Sequence, residues 1–419
     1  MKRLLTKKRS QPQLVPVQFL QQSYQLQTLP QQQILWPTKQ GQIYYRLNKQ
    51  HTFAPMPVTV RPWVRAYLQA FCQVVQTQID PKQSLTLGMI TDTHVKFKNS
   101  SSYYGFNGWQ HVNEFLELPH FLPIDLLVHL GDVIDGSDDP YVDRQLLRQV
   151  ANQFAQQKTP SLIAKGNHDD HDKYDEHTRT HRATFAADTF EQAVWLPEHS
   201  NASLHENLAH CGLSYFDQAN FRVIMLNTSD LPYIIDKKGQ KQYDGKLVLG
   251  LRQQQVQILT QLLQASVNKQ VLILSHANLL KANGQAAVHN GKAVHDLLKA
   301  FNQGLVGQLV HQDIDPQFSL NVEFDFRENQ TGRVWACLAG HRHTEAQYRL
   351  DSIQYVLLNV SALMGKKHFL TTKFNRAWHR QKDQLSEFAG YIVNLNVRQA
   401  ELNIFGYGAA TFWRKFKIS

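Results

Sequence analysis

Residues 85–94 read Leu85-Thr86-Leu87-Gly88-Met89-Ile90-Thr91-Asp92-Thr93-His94, a short apolar run that stops on an acid and a histidine. The run has the length and composition of a buried strand. The same unit recurs downstream. Asp125 to Leu130 is a second such strand and leads into Gly131-Asp132-Val133-Ile134-Asp135; residues 161–164 lead into Gly166-Asn167-His168-Asp169. A fourth strand covers 221–226. A fifth, 271–274, runs into Ser275-His276, and a sixth, 334–338, runs into Gly340-His341-Arg342-His343. Helices predicted over 109–117, 141–157 and 251–264 separate them, which is the signature of a layered α/β domain. Strands over 353–358, 391–397 and 401–405 follow without long helices and predict a second sheet packed on the first.

The chemistry-bearing residues all fall just after strands. Ligands of open α/β sheets bind at the carboxyl ends of strands, so five polar clusters delivered to one edge predict a site. Asp92, His94, Asp132, Asn167, His276, His341 and His343 offer carboxylate, amide and imidazole donors with no thiolate, a set that suits manganese, iron or zinc. Seven donors exceed what one transition metal with an open position uses; they suit two ions sharing a carboxylate. Glycines at 131, 166 and 340 are expected where the loops turn tightly.

The ordered set Asp-x-His, Gly-Asp, Gly-Asn-His-Asp, His, Gly-His-x-His resembles the calcineurin-like metallophosphoesterases over roughly residues 85–360. The likeness is greatest to the branch with class III cyclic-nucleotide phosphodiesterases and purple-acid-phosphatase relatives. Residues 391–416 resemble, loosely, the terminal strands of Gram-positive bacterial and prophage members. The resemblance implies a four-layer α/β/β/α sandwich of two mixed sheets flanked by helices. It implies one metal on Asp92, His94, Asp132 and His343, and a second on Asp132 as bridge, Asn167, His276 and His341. His168 would face the substrate, with Asp169 orienting its ring.

A water between two such ions loses its proton near neutral pH, so the expected reaction is attack of a metal-bridging hydroxide on a phosphate mono- or diester, a nucleotide among the candidates. His168 is expected to stabilise charge on the phosphate and to protonate the leaving alkoxide. Asp135 reads as support rather than ligand. Two further features stay open at this level: the polar segment Asp170 to His181 as a flap or a solvated loop, and Tyr103, Tyr104 and Phe106 as a stacking platform or packing.

Composition narrows the rest. The chain has 419 residues, 42% of them hydrophobic, which excludes the disordered class. Its net charge of +10 is uneven: residues 1–84 carry eleven Lys/Arg against one acid, together with 18 glutamines. We expect 1–84 to form a basic, Gln-rich arm ending in a docking helix near 60–79, and 85–419 to form the metallophosphoesterase domain. Ile43-Tyr44-Tyr45 reads as an added edge strand. The arm, and the lysines from Lys366 to Lys382, keep open a nuclease acting on nucleic acid, or an assembly role in a phage particle or at a cell surface. Cys72, Cys211 and Cys337 are unpaired in spacing and read as buried thiols. No export signal or spanning segment is read, so a cytoplasmic protein acting on a small phosphate ester is the expectation.

Overall fold

The computed structural model describes residues 55–81, 83–97, 107–196, 211–363 and 380–418, with the backbone of four strands further upstream. Those are β1 (Leu14–Phe19), β2 (Gln22–Thr28), β3 (Ile34–Pro37) and β4 (Ile43–Tyr44), paired in that order in a small antiparallel sheet. The expected arm therefore contains strands, and Ile43–Tyr44 pairs with β3 rather than with an edge of the main sheets. Residues 98–106 and 364–379, which hold the candidate aromatic platform and Lys366-Lys367, lie outside the described residues.

α1 (Pro62–Gln76) begins with a proline at its first turn, where the missing N–H costs nothing. Val64, Leu68, Phe71, Cys72 and Val75 form its buried stripe. Each large apolar side chain there contributes about 1.5–3 kcal/mol by leaving water. β5 (Ser84–Ile90) follows, then α2 (Gly108–Phe115), β6 (Leu126–His129), α3 (Pro140–Ala155), β7 (Ser161–Ile163) and the short α4 (Asp172–His177). α3 combines a proline start with a cap, Asp139 accepting from the Tyr141 amide. The second half runs β8 (Ser214–Gln218), β9 (Phe221–Leu226), α5 (Gln253–Gln264), β10 (Gln270–Ser275), α6 (Gly291–Gln303), β11 (Val306–His311) and β12 (Leu320–Asp325). It ends with β13 (Arg333–Ala339), β14 (Ala346–Leu350), β15 (Ile353–Leu357), β16 (Ala389–Asn396), β17 (Glu401–Gly408) and β18 (Trp413–Lys417).

Two six-stranded mixed sheets carry the fold, in the orders β18-β17-β16-β5-β6-β7 and β14-β15-β13-β10-β9-β8. β5, β6 and β7 are parallel, as are β9, β10, β13 and β15. Strand alternation sorts the core into three. Leu85, Leu87, Met89, Val128, Leu272, Leu274 and Val393 fill the space between the sheets. Ile90, Leu127 and Ile392 face α1, α2 and α3, and Ile224, Val271 and Ile273 face α5 and α6. The layering is α/β/β/α, as expected. All three cysteines are buried free thiols. No helix among the described residues is long and apolar enough to cross a membrane.

Candidate dinuclear metal centre

The carboxyl ends of β5, β6, β7, β10 and β13 meet at one edge, and the loops leaving them are tied together by backbone bonds. Asp92 and His94 donate to the carbonyls of Gly131 and Asp132, Gly340 donates to His276, and Ala362 donates to Asp92. Five of the seven candidate donors, Asp92, His94, Asp132, His341 and His343, have φ between 44 and 64°. Side chains other than glycine rarely occupy this left-handed region, and each costs on the order of 1–3 kcal/mol that the surrounding bonds must supply. Two glycines make the close approach possible. A Cβ on Gly166 would lie 2.2 Å from Asp132 Oδ1, and one on Gly340 would lie 2.5 Å from Asp92 Oδ2. Only Gly131 of the expected three has a positive φ; the other two serve as gaps rather than turns.

All seven candidate donors converge. Asp92, His94, Asp132 and His343 place one donor atom each within 4.8 Å of one another, and so do Asp132, His276 and His341. His343 Nε2 is 3.1 Å from Asp92 Oδ1 and 3.2 Å from His94 Nε2. On the other side of Asp132, His276 Nε2 is 3.4 Å from Asp132 Oδ1 and 3.0 Å from Asn167 Oδ1, with His341 Nδ1 at 3.2 Å. His276 Nδ1 meets the Leu130 carbonyl at 2.9 Å, and a carbonyl only accepts. The ring proton is therefore on Nδ1, and the Nε2 lone pair faces two oxygens. Acceptors gathered this closely call for a cation.

Electrostatics agree. Burial, then Asp92 and Asp169, push the Asp132 carboxyl well above the ordinary range, and no lysine or arginine among the described residues pairs with it. Burial drives the His94 and His341 rings well below the usual imidazole value, which keeps them in the neutral form a metal requires. The donor set thus fits a pair of ions bridged by Asp132.

His168 and Asp169 stand beside this cage in different ways. The His168 amide donates to Asp132 Oδ1 at 2.8 Å, and its Nδ1 donates to the Asp135 carbonyl at 2.9 Å. Asp169 accepts instead from the amides of Ile134 (3.0 Å) and Gly166 (2.8 Å). The expected ring-orienting bond thus comes from a backbone carbonyl, and the Asp169 carboxylate clamps the loop. Burial raises that carboxyl to about 7 and lowers His168 to about 4. A neutral His168 with its proton on Nδ1 presents Nε2 as an acceptor, so the expected donation to a leaving alkoxide needs a proton taken up with the substrate.

Lys96 and Lys173 were not legible in the sequence as site residues. Their ammoniums lie 2.9 and 2.8 Å from the Asp135 carboxylate. In the segment after Asp169, His171, Asp172 and Asp175 are buried, while Glu176, His177 and His181 are exposed. Lys165 pairs with Asp170, Lys241 with Asp172 and Lys246 with Glu176, while buried His171 stacks on Phe185. Gly406 and Gly408 lie in β17.

The calcineurin-like phosphoesterase family profile matches residues 85–307. The chain belongs to that family and is a metal-dependent phosphoesterase. A dimetal phosphatase from Danio rerio is similar in fold: 14% identical, TM-score 0.53, covering 80% of this chain and 99% of its own. A purple acid phosphatase from yellow lupin matches at 11% identity and TM-score 0.42, over 92% of this chain and 58% of its own. No curated protein matches in sequence.

Proposed function

We propose that the protein hydrolyses a small-molecule phosphate ester at a dinuclear centre. Asp92, His94, Asp132 and His343 hold one ion, and Asp132, Asn167, His276 and His341 hold the other. The observation that carries this reading is the pair of donor clusters sharing Asp132, whose carboxylate has no cationic partner among the described residues. Two bound ions, manganese, iron or zinc by donor type, would supply positive charge for the phosphate oxygens and an acidified water.

The chain's own residues do the rest. The His276 proton on Nδ1 fixes that ring's tautomer. The Asp169 clamp holds the loop that delivers Asn167 and His168. In the neutral ring His168 Nε2 is an acceptor; it becomes a donor to the leaving alkoxide only once the ring has taken up a proton from solvent water as the anionic substrate binds. The test is a screen of chromogenic phosphate mono- and diesters and cyclic nucleotides, with each metal in turn. Turnover that needs added metal and is lost with a chelator is expected, and metal-independent turnover overturns the reading. The basic excess in residues 1–84 favours nucleic acid as the alternative substrate; nuclease activity falling steeply with salt would promote it.

A further inference from the structure

The turn between β17 and β18 stands at the sheet edge that carries the metal donors. β16 runs antiparallel to β5, with Tyr391 opposite Met89, and β17 and β18 each reverse direction again. Residues 409–412 therefore lie where β5 ends and Asp92 begins the site. Hydrogen bonds tie the turn there: the Thr411 amide and hydroxyl both donate to the carboxylate of Glu345, two residues past His343.

The surface beside this turn is aromatic. Phe412 and Trp413 are 51% and 40% exposed, and Trp63, in the first turn of α1, is 38% exposed. Ring contacts join α1 to the turn in one shelf: Trp63 to Phe388 at 6.2 Å, Phe388 to Tyr67 at 6.4 Å, Tyr67 to Phe71 at 6.5 Å and Phe71 to Phe412 at 6.1 Å. Tyr67, Ala70 and Val74 continue from Trp63 at helical spacing, with Ala70 and Val74 exposed. An open apolar patch of this kind marks a contact surface.

The rim of the shelf is cationic. The Lys415 ammonium lies 6.0 Å from the centre of the Trp413 ring, and Lys415 and Lys417 share the Glu401 carboxylate, two positive charges for one negative. α1 is also where the chain arrives from residues 1–54, which hold eight Lys/Arg and no acid.

We propose that this shelf docks on an anionic lipid surface, with the edge that carries the metal donors turned towards the bilayer. Tryptophan and tyrosine rings settle at the headgroup level, where one end is apolar and the other wet, and the ammoniums and basic arm are drawn to the negative surface potential. Nucleic acid fits less well. Bases stack on open ring faces, whereas Trp413 lays one face on Phe405 at 5.4 Å, Phe412 meets Phe71 edge-on, and Val74 offers no ring at all. The docking stands on the shelf alone; that it brings a phosphoesterase to the membrane rests on the reading of the cage given above.

Co-sedimentation of the full chain with lipid vesicles tests the proposal without any turnover. The chain is expected to bind phosphatidylcholine vesicles containing about 30% phosphatidylserine, to ignore phosphatidylcholine alone, and to bind more weakly in about 0.5 M salt. Phe412→Ser and Trp63→Ser should each weaken binding about tenfold or more. An unchanged melting temperature in either variant separates lost docking from lost folding. No binding to anionic vesicles, or binding indifferent to both substitutions, overturns the proposal. So does a different occupant: DNA binding, or a dimer seen by light scattering, that both substitutions abolish while vesicles are ignored. Docking by a protein that hydrolyses no phosphate ester keeps the shelf and sinks the reading of the cage; hydrolysis without docking does the reverse.

Discussion

Asp132 and Asp135 are three residues apart, both about 1% exposed, and they sit in opposite electrostatic settings. Around Asp132 the neighbours are imidazoles, the donating His168 amide and other carboxylates, and its carboxyl is pushed up. Around Asp135, burial pushes the carboxyl up as well, but Lys173 and Lys96 outweigh it and hold the group below its ordinary range. Asp135 already owns its cations and is held as an ion pair; Asp132 lacks them, the setting that a bound metal would complete. Residue type alone does not separate the two, and the charge balance around each does.

The sharpest way to break this contrast is Asp132→Ala. Turnover should fall to background and metal analysis of the purified variant should return fewer than two ions per chain; full metal content would move the bridge elsewhere. His168→Ala should lower turnover by about 10²–10⁴-fold while metal content stays intact, and metal loss in that variant would make His168 a ligand. Asp135→Ala strands two partly buried ammoniums beside one another. It should cost about 3 kcal/mol in denaturant unfolding of the metal-free chain, against a smaller loss or a gain for Asp132→Ala, which relieves carboxylate crowding. Equal losses would erase the distinction.

Asp169→Asn tests a third kind of buried acid, one satisfied by amides. An NH₂ turned towards the Gly166 or Ile134 amide should cost about 1–2 kcal/mol. A further effect concerns pH. Burial lowers His129 from 6.5 to about 3, so the folded state takes up a proton less readily than the unfolded chain. The neutral ring's stability is fully present above pH 6.5 and is lost as pH falls towards 3. His129→Asn should flatten part of that slope in melts recorded between pH 7 and 4.

Much of the fold was legible because its inner strands are continuous apolar runs that end on polar clusters. Buried parallel strands write themselves in that way, and 221–226 matches β9 residue for residue. What escaped was written differently. β11 has mostly exposed positions and no clean alternation, so its hairpin with β12 left little apolar signal. α6 did carry one, with Val294, Leu297, Leu298 and Phe301 at helical spacing on its buried face. In the site, the donors were readable because strand ends place them in order. The lysines on Asp135 were not, since Lys173 lies 38 residues from its partner and only the fold sets that distance. The split between Asp169 and the Asp135 carbonyl was equally hidden: a backbone acceptor has no side-chain identity to read.

The sheet order carries one consequence for how the molecule is made. β16 lies between β17 and β5, pairing Tyr391 with Met89 across some three hundred residues. During synthesis β5 has no neighbour on that side until residues 389–396 leave the ribosome, so Asp92 and His94 hang from an open edge for most of translation. Such late, long-range pairing slows folding and exposes a sticky intermediate. Chaperone demand in the cell should therefore track the closing of this one seam.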